Sequence, residues 1–379
     1  MKFNKWTLGL AAVGAVSMAS AVRADEAPKM SQLNTALSNT TISGYVDVAA
    51  QYNPGDAGGT TTPVNYTGKP GHVDGFSLNV VDITLDKPQD ESPWASGYHI
   101  DLNAGPNEID GLQGSHSTES RMAIRQAYVA LRTPVGNGID WKFGVFDGVT
   151  GYEGNTSYAN PNYTRSYGWQ VNPASEIGLI GSYKICNEVT VQAGLADRDS
   201  LSGTPSGASP EASSKAYIVA AALTAPDSWG WFKGSTLNLG TVQTFDNYGI
   251  NNYNASLTMN TPVAGLKGGL SYDKVQVLNQ NENAGDGNIY GVYASFQQTD
   301  KLSYNLRGEY LDGKNLGFFS PTVFHGKGEE VTVTVEYDLW ANVTSRVEGR
   351  WDHFENGTPF NNNNTENAFL LALNVVYKF

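Results

Sequence analysis

From Thr41 to Phe379 the chain repeats one pattern of apolar and polar positions. Segments of about ten residues alternate between the two types, and clusters of Gly, Asn, Asp, Ser and Pro separate them. In the last segment every second residue from Phe369 onward is apolar. A period of two puts such side chains on one face of a β-strand, and the β-branched and aromatic residues that fill these segments favour strands too. The pattern therefore predicts an all-β protein.

Sixteen strands are predicted, and the links between them differ in length. Even-numbered links such as 133–138 are mostly short, whereas most odd-numbered links, such as 148–174, are long and polar. Long loops gathered at one end of an even number of antiparallel strands are typical of an outer-membrane barrel with short periplasmic turns and long extracellular loops. The predicted fold is a transmembrane antiparallel up-and-down β-barrel of about 16 strands. The strands are expected to begin near Thr41, Phe76, Ala95, Arg121, Ile139, Ser175, Glu188, Lys215, Lys233, Ile250, Leu266, Asn288, Leu302, Glu330, Asn342 and Asn367.

Lipid would explain why one face of each strand is apolar. Water is absent from hydrocarbon, so a sheet can cross it only as a closed barrel that leaves no edge unpaired. An aromatic belt is expected at the interface. Five tryptophans fall at the predicted short-turn end: Trp94, Trp141, Trp229, Trp231 and Trp340. The terminal Phe379 resembles the sorting signal that the bacterial barrel assembly machinery reads.

The N-terminal residues have the features of a cleaved secretory signal. Lys2 and Lys5 precede a mostly apolar run over 6–18, and small residues precede Asp25. We predict a signal peptide over 1–24, a polar N-terminal leader over 25–40 and the barrel over 41–379. The alternative for the first segment is an uncleaved membrane anchor. Export to the outer membrane of a Gram-negative bacterium follows from this interpretation.

Composition narrows the function classes. The mean hydropathy is −0.34 and only 16% of residues are charged, against roughly 25% in a typical soluble domain. A pI of about 4.8 argues against a nucleic-acid partner. Without residues 1–24 the chain keeps 21 basic and 37 acidic residues, a formal charge of −16. This acidic balance predicts a cation preference if the acids face the lumen or its mouth.

The sequence lacks the common motifs of enzymes and metal proteins. The sequence has no P-loop, no Gly-x-Ser-x-Gly nucleophile motif, no His-Glu-x-x-His and no Cys/His spacing suited to zinc. We therefore expect no catalytic residues, no cofactor and no metal. His99 beside a serine could imitate an outer-membrane phospholipase site, but a histidine facing the lumen is the simpler interpretation.

The middle of the chain resembles a known family. Residues 124–135 read IRQAYVALRTPV, and Gly151-Tyr152-Glu153 and Arg165-Ser166 follow in the order seen in the β-barrel porin-2 (OmpL-like) family. The motifs cover residues 76–200, and the rest matches by pattern only. Asn172-Pro173-Ala174 departs from the more apolar segment expected there. The resemblance implies an outer-membrane barrel with passive solute passage and supplies no catalytic residues.

A barrel of this size should hold water. Sixteen strands about 4.8 Å apart and tilted near 40° give a radius of roughly 16 Å, which side chains cannot fill. Inward-facing residues are hydrophilic, and mixed charges across a narrow opening favour polar solutes. Ion pairing that stiffens the wall is the alternative role for each. The predicted pore-lining residues are Asp47, His99, Asp101, Lys267, Arg307, Glu309, Glu336, Arg346, Glu348 and Arg350, with Asp273 on the same face as Lys267.

The long link over 148–174 is the candidate constriction. A loop of this length is usually functional or disordered. We expect it to fold inward and narrow the channel; the alternative is an exposed mobile loop. Its candidate constriction residues are Tyr152, Glu153, Tyr158, Tyr163 and Arg165.

The sequence thus predicts an outer-membrane porin with a water-filled channel for passive diffusion of small hydrophilic solutes. The alternative from another class is a secreted all-β carbohydrate-binding protein that stacks sugars on its tyrosines and tryptophans. The expected partners are outer-membrane lipid and lipopolysaccharide, the barrel assembly machinery, and small hydrophilic solutes or ions. General porins of this size are often trimers, so a homotrimer is expected by analogy.

Overall fold

A computed structural model describes most of the barrel region. The predicted signal peptide over 1–24 and all but the last residue of the predicted leader over 25–40 lie outside the described residues. The structure describes residues 40–54, 74–107, 122–197, 215–245, 248–279, 282–316, 324–355 and 365–379.

Sixteen strands form the molecule, as the alternating pattern predicted. They are β1 (Thr41–Tyr52), β2 (Gly75–Lys87), β3 (Ser96–Ala104), β4 (Met122–Thr133), β5 (Ile139–Asp147), β6 (Ser175–Lys184), β7 (Val189–Asp197), β8 (Lys215–Thr224), β9 (Thr236–Thr244), β10 (Tyr248–Asn260), β11 (Leu266–Asn279), β12 (Glu282–Gln297), β13 (Leu302–Leu316), β14 (Phe324–Trp340), β15 (Val343–Glu355) and β16 (Asn367–Lys378).

Helical structure in the described ranges is short. One α-helix, α1 (Tyr167–Val171), lies between β5 and β6, and two 3₁₀ turns cover Ser157–Ala159 and Asp227–Phe232. None of the described helices is long and apolar enough to cross a membrane.

The sheet closes on itself. Each strand pairs antiparallel with its neighbours in sequence, and β1 pairs with β16, so no strand edge is left open. The closing pair includes Val48 opposite Val375. At the C-terminus, the main-chain N–H of Gly44 donates to the carbonyl of Phe379 at 3.1 Å, and Phe379 N–H donates to Gly44 at 3.0 Å. The predicted all-β, closed antiparallel barrel is confirmed.

Three strands begin three or more residues from the predicted position. β9 begins at Thr236 rather than near Lys233 because the residues before it form a 3₁₀ turn over Asp227–Phe232. β12 begins at Glu282 and β14 at Phe324, each six residues before the predicted start. Gly- and Asn-rich segments with the composition of loops form the ends of long hairpins here, because pairing with a neighbouring strand outweighs their weak local propensity for strands.

Outward and inward faces have opposite chemistry. On β14, Val331, Val333 and Val335 are exposed, whereas Thr332 and Thr334 between them are fully buried. The same alternation continues on β16, where Leu371 and Leu373 are about half exposed. A contiguous exposed apolar surface of this extent is unfavourable in water, so the outer face requires lipid. The polar positions point into the barrel.

The tryptophans form a belt at one end. Trp94, Trp229 and Trp231 lie in links between strands, Trp340 ends β14, and Trp141 is close to the start of β5. All five therefore lie at the short-turn end, as predicted. Four of them expose more than half of their side chain surface, which suits rings at a membrane interface.

Candidate functional site

The segment over 148–174, called the 148–174 loop below, lies inside the barrel. Tyr163 and Tyr167 are completely buried, and their partners are residues of the wall. The Tyr163 hydroxyl accepts a hydrogen bond from Gln51 of β1 at 2.6 Å, and the Tyr167 hydroxyl donates to Asp352 of β15 at 2.6 Å. The loop packs against the half of the wall formed by β10–β16 and β1.

Arg346 and Glu348 of β15 hold the first half of the loop by its main chain. The Arg346 guanidinium donates to the carbonyls of Ser157, Tyr158 and Asn160 at 2.9–3.2 Å. The Glu348 carboxylate accepts the N–H groups of Tyr163 and Thr164 at 2.6 and 2.9 Å, and also the hydroxyls of Thr164 and Thr334.

Arg307 and Arg350 also bind main-chain carbonyls. Arg307 donates to the carbonyl of Thr164 at 2.7 Å, and Arg350 donates to the carbonyl of Arg165 at 2.6 Å. Each guanidinium is neutralised by a carboxylate on the wall: Glu330 for Arg307 and Asp352 for Arg350. Charge-assisted hydrogen bonds are stronger than neutral ones, so each of these contacts fixes the loop firmly.

A carboxylate holds the start of α1. Glu309 of β13 accepts the N–H groups of Tyr167 and Gly168 at 2.5 and 3.0 Å. The Ser166 hydroxyl caps the helix by accepting the N–H of Trp169 at 2.9 Å. These bonds satisfy N–H groups that a helix start otherwise leaves without partners.

The predicted constriction residues all lie in the loop interior or against the wall. Tyr152 stacks on Tyr293 of β12 with ring centroids 3.9 Å apart, and Tyr158 meets Tyr45 of β1 edge to face at 5.2 Å. Glu153 accepts from Arg307 at 2.7 Å. Tyr163 accepts a hydrogen bond from Gln51 of the wall. Arg165 stays within the loop, where it donates to the carbonyl of Asn155 at 2.8 Å and lies over the Trp169 ring.

Burial raises the pKa of two loop tyrosines. Desolvation raises the pKa of Tyr158 above its usual value near 10. The same effect, strengthened by the nearby Asp352 carboxylate, raises the pKa of Tyr167 well above that value. Both phenols are therefore neutral at physiological pH, and Tyr167 donates its hydroxyl proton to Asp352.

Apolar side chains fill the barrel interior beside α1. Tyr167 and Val171 pack against inward-facing residues of five strands, among them Phe354 of β15, with rings of Tyr167 and Phe354 5.7 Å apart. The remaining buried members of this cluster are Ile250, Val275, Ile289, Leu311 and Leu316. This part of the interior is apolar.

A polar cavity of about 310 Å³ lies on the other side of the loop. The wall contributes residues from β1–β7, and the loop contributes Gly148, Val149, Thr156 and Tyr158. The charged and ionisable residues that line it are Asp82, His99, Asp101, Arg125, Lys142 and Asp147.

Arg125 is the centre of the cavity's charge network. Its guanidinium lies 2.7 Å from Asp147, 3.1 Å from Asp101 and 3.4 Å from Asp82. Lys142 is the second cation, and its ammonium lies 4.8 Å from the centre of the Tyr128 ring. Three carboxylates and two basic side chains give this lining a formal charge of −1.

His99 connects this network to the mouth. Its Nδ1 lies 2.9 Å from Asp86, its Nε2 lies 4.0 Å from Asp101, and its ring stacks on Tyr128. Within the described part of the chain, no three or more His, Cys, Asp and Glu side chains form a group suited to a metal ion.

The ten predicted pore-lining residues fall into separate groups. Arg307, Glu309, Glu336, Arg346, Glu348 and Arg350 belong to the wall that binds the loop, where each is nearly fully buried. Asp47 also faces the loop: it accepts from Asn79, Asn374 and the Ser157 hydroxyl. His99 and Asp101 line the cavity, and Lys267 is half-buried near the short-turn end of β11.

Sequence reasoning missed four charged residues of the cavity: Asp82, Arg125, Lys142 and Asp147. The sequence of β4 contained a signal, because Arg125 is the one charged residue among residues 122–131 of this strand. A charge there is costly unless opposite charges from neighbouring strands meet it, as Asp82, Asp101 and Asp147 do.

Solved structures share this architecture. The anion-selective porin from Comamonas acidovorans matches with a TM-score of 0.60 at 12% identity, covering 90% of this chain and 99% of that chain. OprB of Pseudomonas putida matches with a TM-score of 0.59 at 11% identity, over 90% of this chain and 94% of that one. The outer membrane channel DcaP of Acinetobacter baumannii gives 0.58 at 10% identity, over 90% and 97%. These likenesses establish the fold.

Comparison with curated proteins found no match. The sequence signature of the family described as "Putative beta-barrel porin-2, OmpL-like" matches residues 39–379, which is almost the whole predicted barrel. Together with a closed barrel whose outer face is apolar and whose interior is polar, this match shows that the chain belongs to the β-barrel porin-2, OmpL-like family.

Proposed function

We propose that this protein is an outer-membrane porin that lets small hydrophilic solutes diffuse passively through the barrel. One observation carries the proposal: the 148–174 loop packs mainly against β10–β16 and β1, reaches β4 and β5 through Thr156 and Asn155, and still leaves a polar cavity of about 310 Å³ beside β1–β7. A secreted carbohydrate-binding protein would need a polar outer surface, whereas Val331, Val333 and Leu371 are exposed here.

The solute passes between the loop and the wall of β1–β7. In this proposal Tyr158 forms the loop side of the narrowest part and Asp82 and Asp101 form the wall side, beside the point where Arg125 donates to the Thr156 hydroxyl at 3.1 Å. Charges fixed on one side of a narrow polar opening favour hydrated, polar solutes over apolar ones. The charged groups of β13–β15 serve the passage by holding the loop, since their hydrogen bonds are used in that contact.

A cation preference follows from the charges at this opening. Three carboxylates against Arg125 and Lys142 leave a negative balance that raises the local concentration of cations. The formal charge of −16 without residues 1–24 acts in the same direction.

The outer membrane is the location that the family and the apolar outer face support. Cleavage of residues 1–24, contact with lipopolysaccharide, and recognition of Phe379 by the barrel assembly machinery belong to the same proposal. A homotrimer is proposed as well, since a trimer form is known for the similar OmpT of Vibrio cholerae, a match at 13% identity and a TM-score of 0.55.

Conductance in planar lipid bilayers tests this function. We expect stepwise single-channel currents, a salt-gradient reversal potential of the sign for cations, and exclusion of sugars above a limiting size. Deletion of Tyr152 to Tyr163 should raise the single-channel conductance, because this part of the loop lies between the passage and the wall.

Three results would contradict the proposal in different ways. No channel activity from correctly folded protein would remove the porin function altogether. An unchanged conductance after the deletion would remove the constriction, and a reversal potential of the sign for anions would remove the cation preference.

A further inference from the structure

Asp273 of β11 differs from the other buried carboxylates that contact the loop. Glu348 and Glu309 each use both oxygens to accept hydrogen bonds from the loop main chain. Asp47 likewise accepts on both oxygens. In Asp273 only Oδ1 is used: it accepts from Asn172 and Asn254, both at 2.6 Å.

The second oxygen of Asp273 has no partner. Asp273 is 1% exposed, and its Oδ2 makes no hydrogen bond. A buried carboxylate oxygen without a donor is costly, and no cationic side chain is paired with Asp273 among the described ion pairs. This oxygen therefore indicates a missing positive group.

Two more unpartnered oxygens belong to the same part of the wall. The Ser271 hydroxyl and the Tyr293 hydroxyl are both buried and have no hydrogen-bond partner. Gly291 lies opposite Ser271 and Glu309 on the two neighbouring strands, so these three residues form one row across the wall. A methyl group built on Gly291 would lie 2.4 Å from Ser271 Oγ and 3.2 Å from the Tyr293 hydroxyl oxygen, which brings both oxygens over this glycine.

Glu309 completes the group from the other side of the row. A methyl group built on Gly168 of α1 would lie 2.5 Å from Asp273 Oδ2 and 3.5 Å from Glu309 Oε1. The two carboxylate oxygens are thus at most about 6 Å apart, the sum of these distances. Opposite oxygens around one Ca²⁺ are about 5 Å apart, since each Ca–O distance is about 2.3–2.6 Å.

We propose that a hard divalent cation, Ca²⁺ in particular, binds between the loop and the wall at this point. Asp273 and Glu309 supply the carboxylate oxygens, Ser271 and Tyr293 supply hydroxyl oxygens, and water completes the coordination. Ca²⁺ accepts irregular sets of six to eight oxygens, whereas Mg²⁺ requires a near-ideal octahedron, so this mixed group favours Ca²⁺. The ion would join β11, β12 and β13 beside the start of α1.

No sequence motif reveals such a site. Its ligands come from three neighbouring strands, and two of them are neutral hydroxyls, so no spacing along the chain marks them. The register of the barrel and the closeness of Gly168 bring the oxygens together.

Thermal unfolding of the purified full-length protein in zwitterionic detergent, stripped with a chelator, provides the first measurement. We expect added Ca²⁺ to raise the Tm saturably by at least about 3 °C, and Mg²⁺ to do so only at much higher concentration. Terbium, which replaces Ca²⁺, should give luminescence sensitised by Tyr293, and Ca²⁺ should displace it.

Two variants locate the effect. Asp273→Asn keeps the size of the side chain and should abolish both the Tm shift and the terbium signal. Asp47→Asn is the matched control, since it removes a buried carboxylate whose two oxygens already have donors, and the Ca²⁺ shift should persist in it. If Asp273→Asn does not fold, Tyr293→Phe keeps the stack on Tyr152 and should weaken terbium binding at least about tenfold.

The proposal is overturned if the wild-type protein shows neither a saturable Ca²⁺ shift nor displaceable terbium luminescence. It is also overturned if Asp273→Asn retains the wild-type Ca²⁺ shift, since the ion would then be bound elsewhere. These readouts do not depend on channel activity, so the failure of the ion site and the failure of the porin function are separable.

Discussion

Glu348 offers the sharpest test of how the 148–174 loop is held. Its Oε2 accepts the N–H of Tyr163 and the hydroxyl of Thr334, and its Oε1 accepts the N–H and hydroxyl of Thr164. Glu348→Gln keeps the size of the side chain and replaces one of these oxygens by an NH₂ group. Whichever oxygen is replaced, a loop N–H then faces another donor.

The magnitude follows from the hydrogen bonds that are lost. Either orientation of the amide removes one hydrogen bond from a loop N–H to a charged acceptor, worth about 1.5–3 kcal/mol, and leaves that buried N–H facing a donor, which adds a further cost. Docking of the loop should weaken by roughly 3 kcal/mol or more. A change of that size raises the population of the undocked loop about 100-fold.

Single-channel recording measures this directly. We expect Glu348→Gln to show excursions to a higher conductance that are about 100-fold more frequent than in the wild-type protein. Glu336→Gln is the matched control: it is the same substitution on the adjacent strand, and the Glu336 carboxylate accepts from Arg346 Nε at 2.8 Å. It should change the current far less.

Equal current traces for Glu348→Gln and the wild-type protein would refute this reasoning, provided that both proteins show the same heat-dependent mobility on gels. The three hydrogen bonds from the loop to Glu348 would then contribute nothing to the position of the loop, and the narrow opening would have to be fixed elsewhere.

Three further outcomes are expected. Asp82→Asn should reduce the cation preference, measured as a smaller reversal potential in a salt gradient, because a carboxylate at the Arg125 cluster is lost. Tyr158 and Tyr167 have raised pKa values in the docked loop, so their contribution to docking is complete below about pH 10 and decreases as the pH rises above that value. Conductance should therefore rise reversibly at alkaline pH while tyrosinate absorbance increases. Gly269→Ala should lower the Tm, because its methyl group would overlap the hydroxyl of Tyr152.

The barrel itself was predictable from the sequence. Alternation along β14 and β16 reflects a local rule, since each residue faces either lipid or the interior, and a strand therefore carries its own pattern. Closure followed from the same reasoning, because an open edge cannot exist in hydrocarbon. The starts of β12 and β14 were wrong, since hairpin pairing beyond the apolar band has no hydrophobic signature.

For the interior, the sequence predicted only which side chains point into the barrel, and not which role each has there. Asp101 and Arg346 both lie at inward-facing positions of the alternating pattern, yet Asp101 lines the cavity and Arg346 holds the loop. Which of these roles an inward-facing charge has depends on where the 148–174 loop packs. That position is set by contacts such as Tyr163 with Glu348, which are distant in sequence and leave no pattern along the chain.

The wall holds the 148–174 loop mostly by main-chain groups, and this has a consequence for how such channels diversify. Arg346, Arg350 and Glu348 bind carbonyls and N–H groups that every amino acid possesses. Loop side chains that face the passage, such as Tyr158, can therefore be exchanged without losing this anchorage. The same barrel wall could therefore hold loops with different side chains at the passage. A new preference for a nutrient could evolve, or be engineered, by a few substitutions in this single loop.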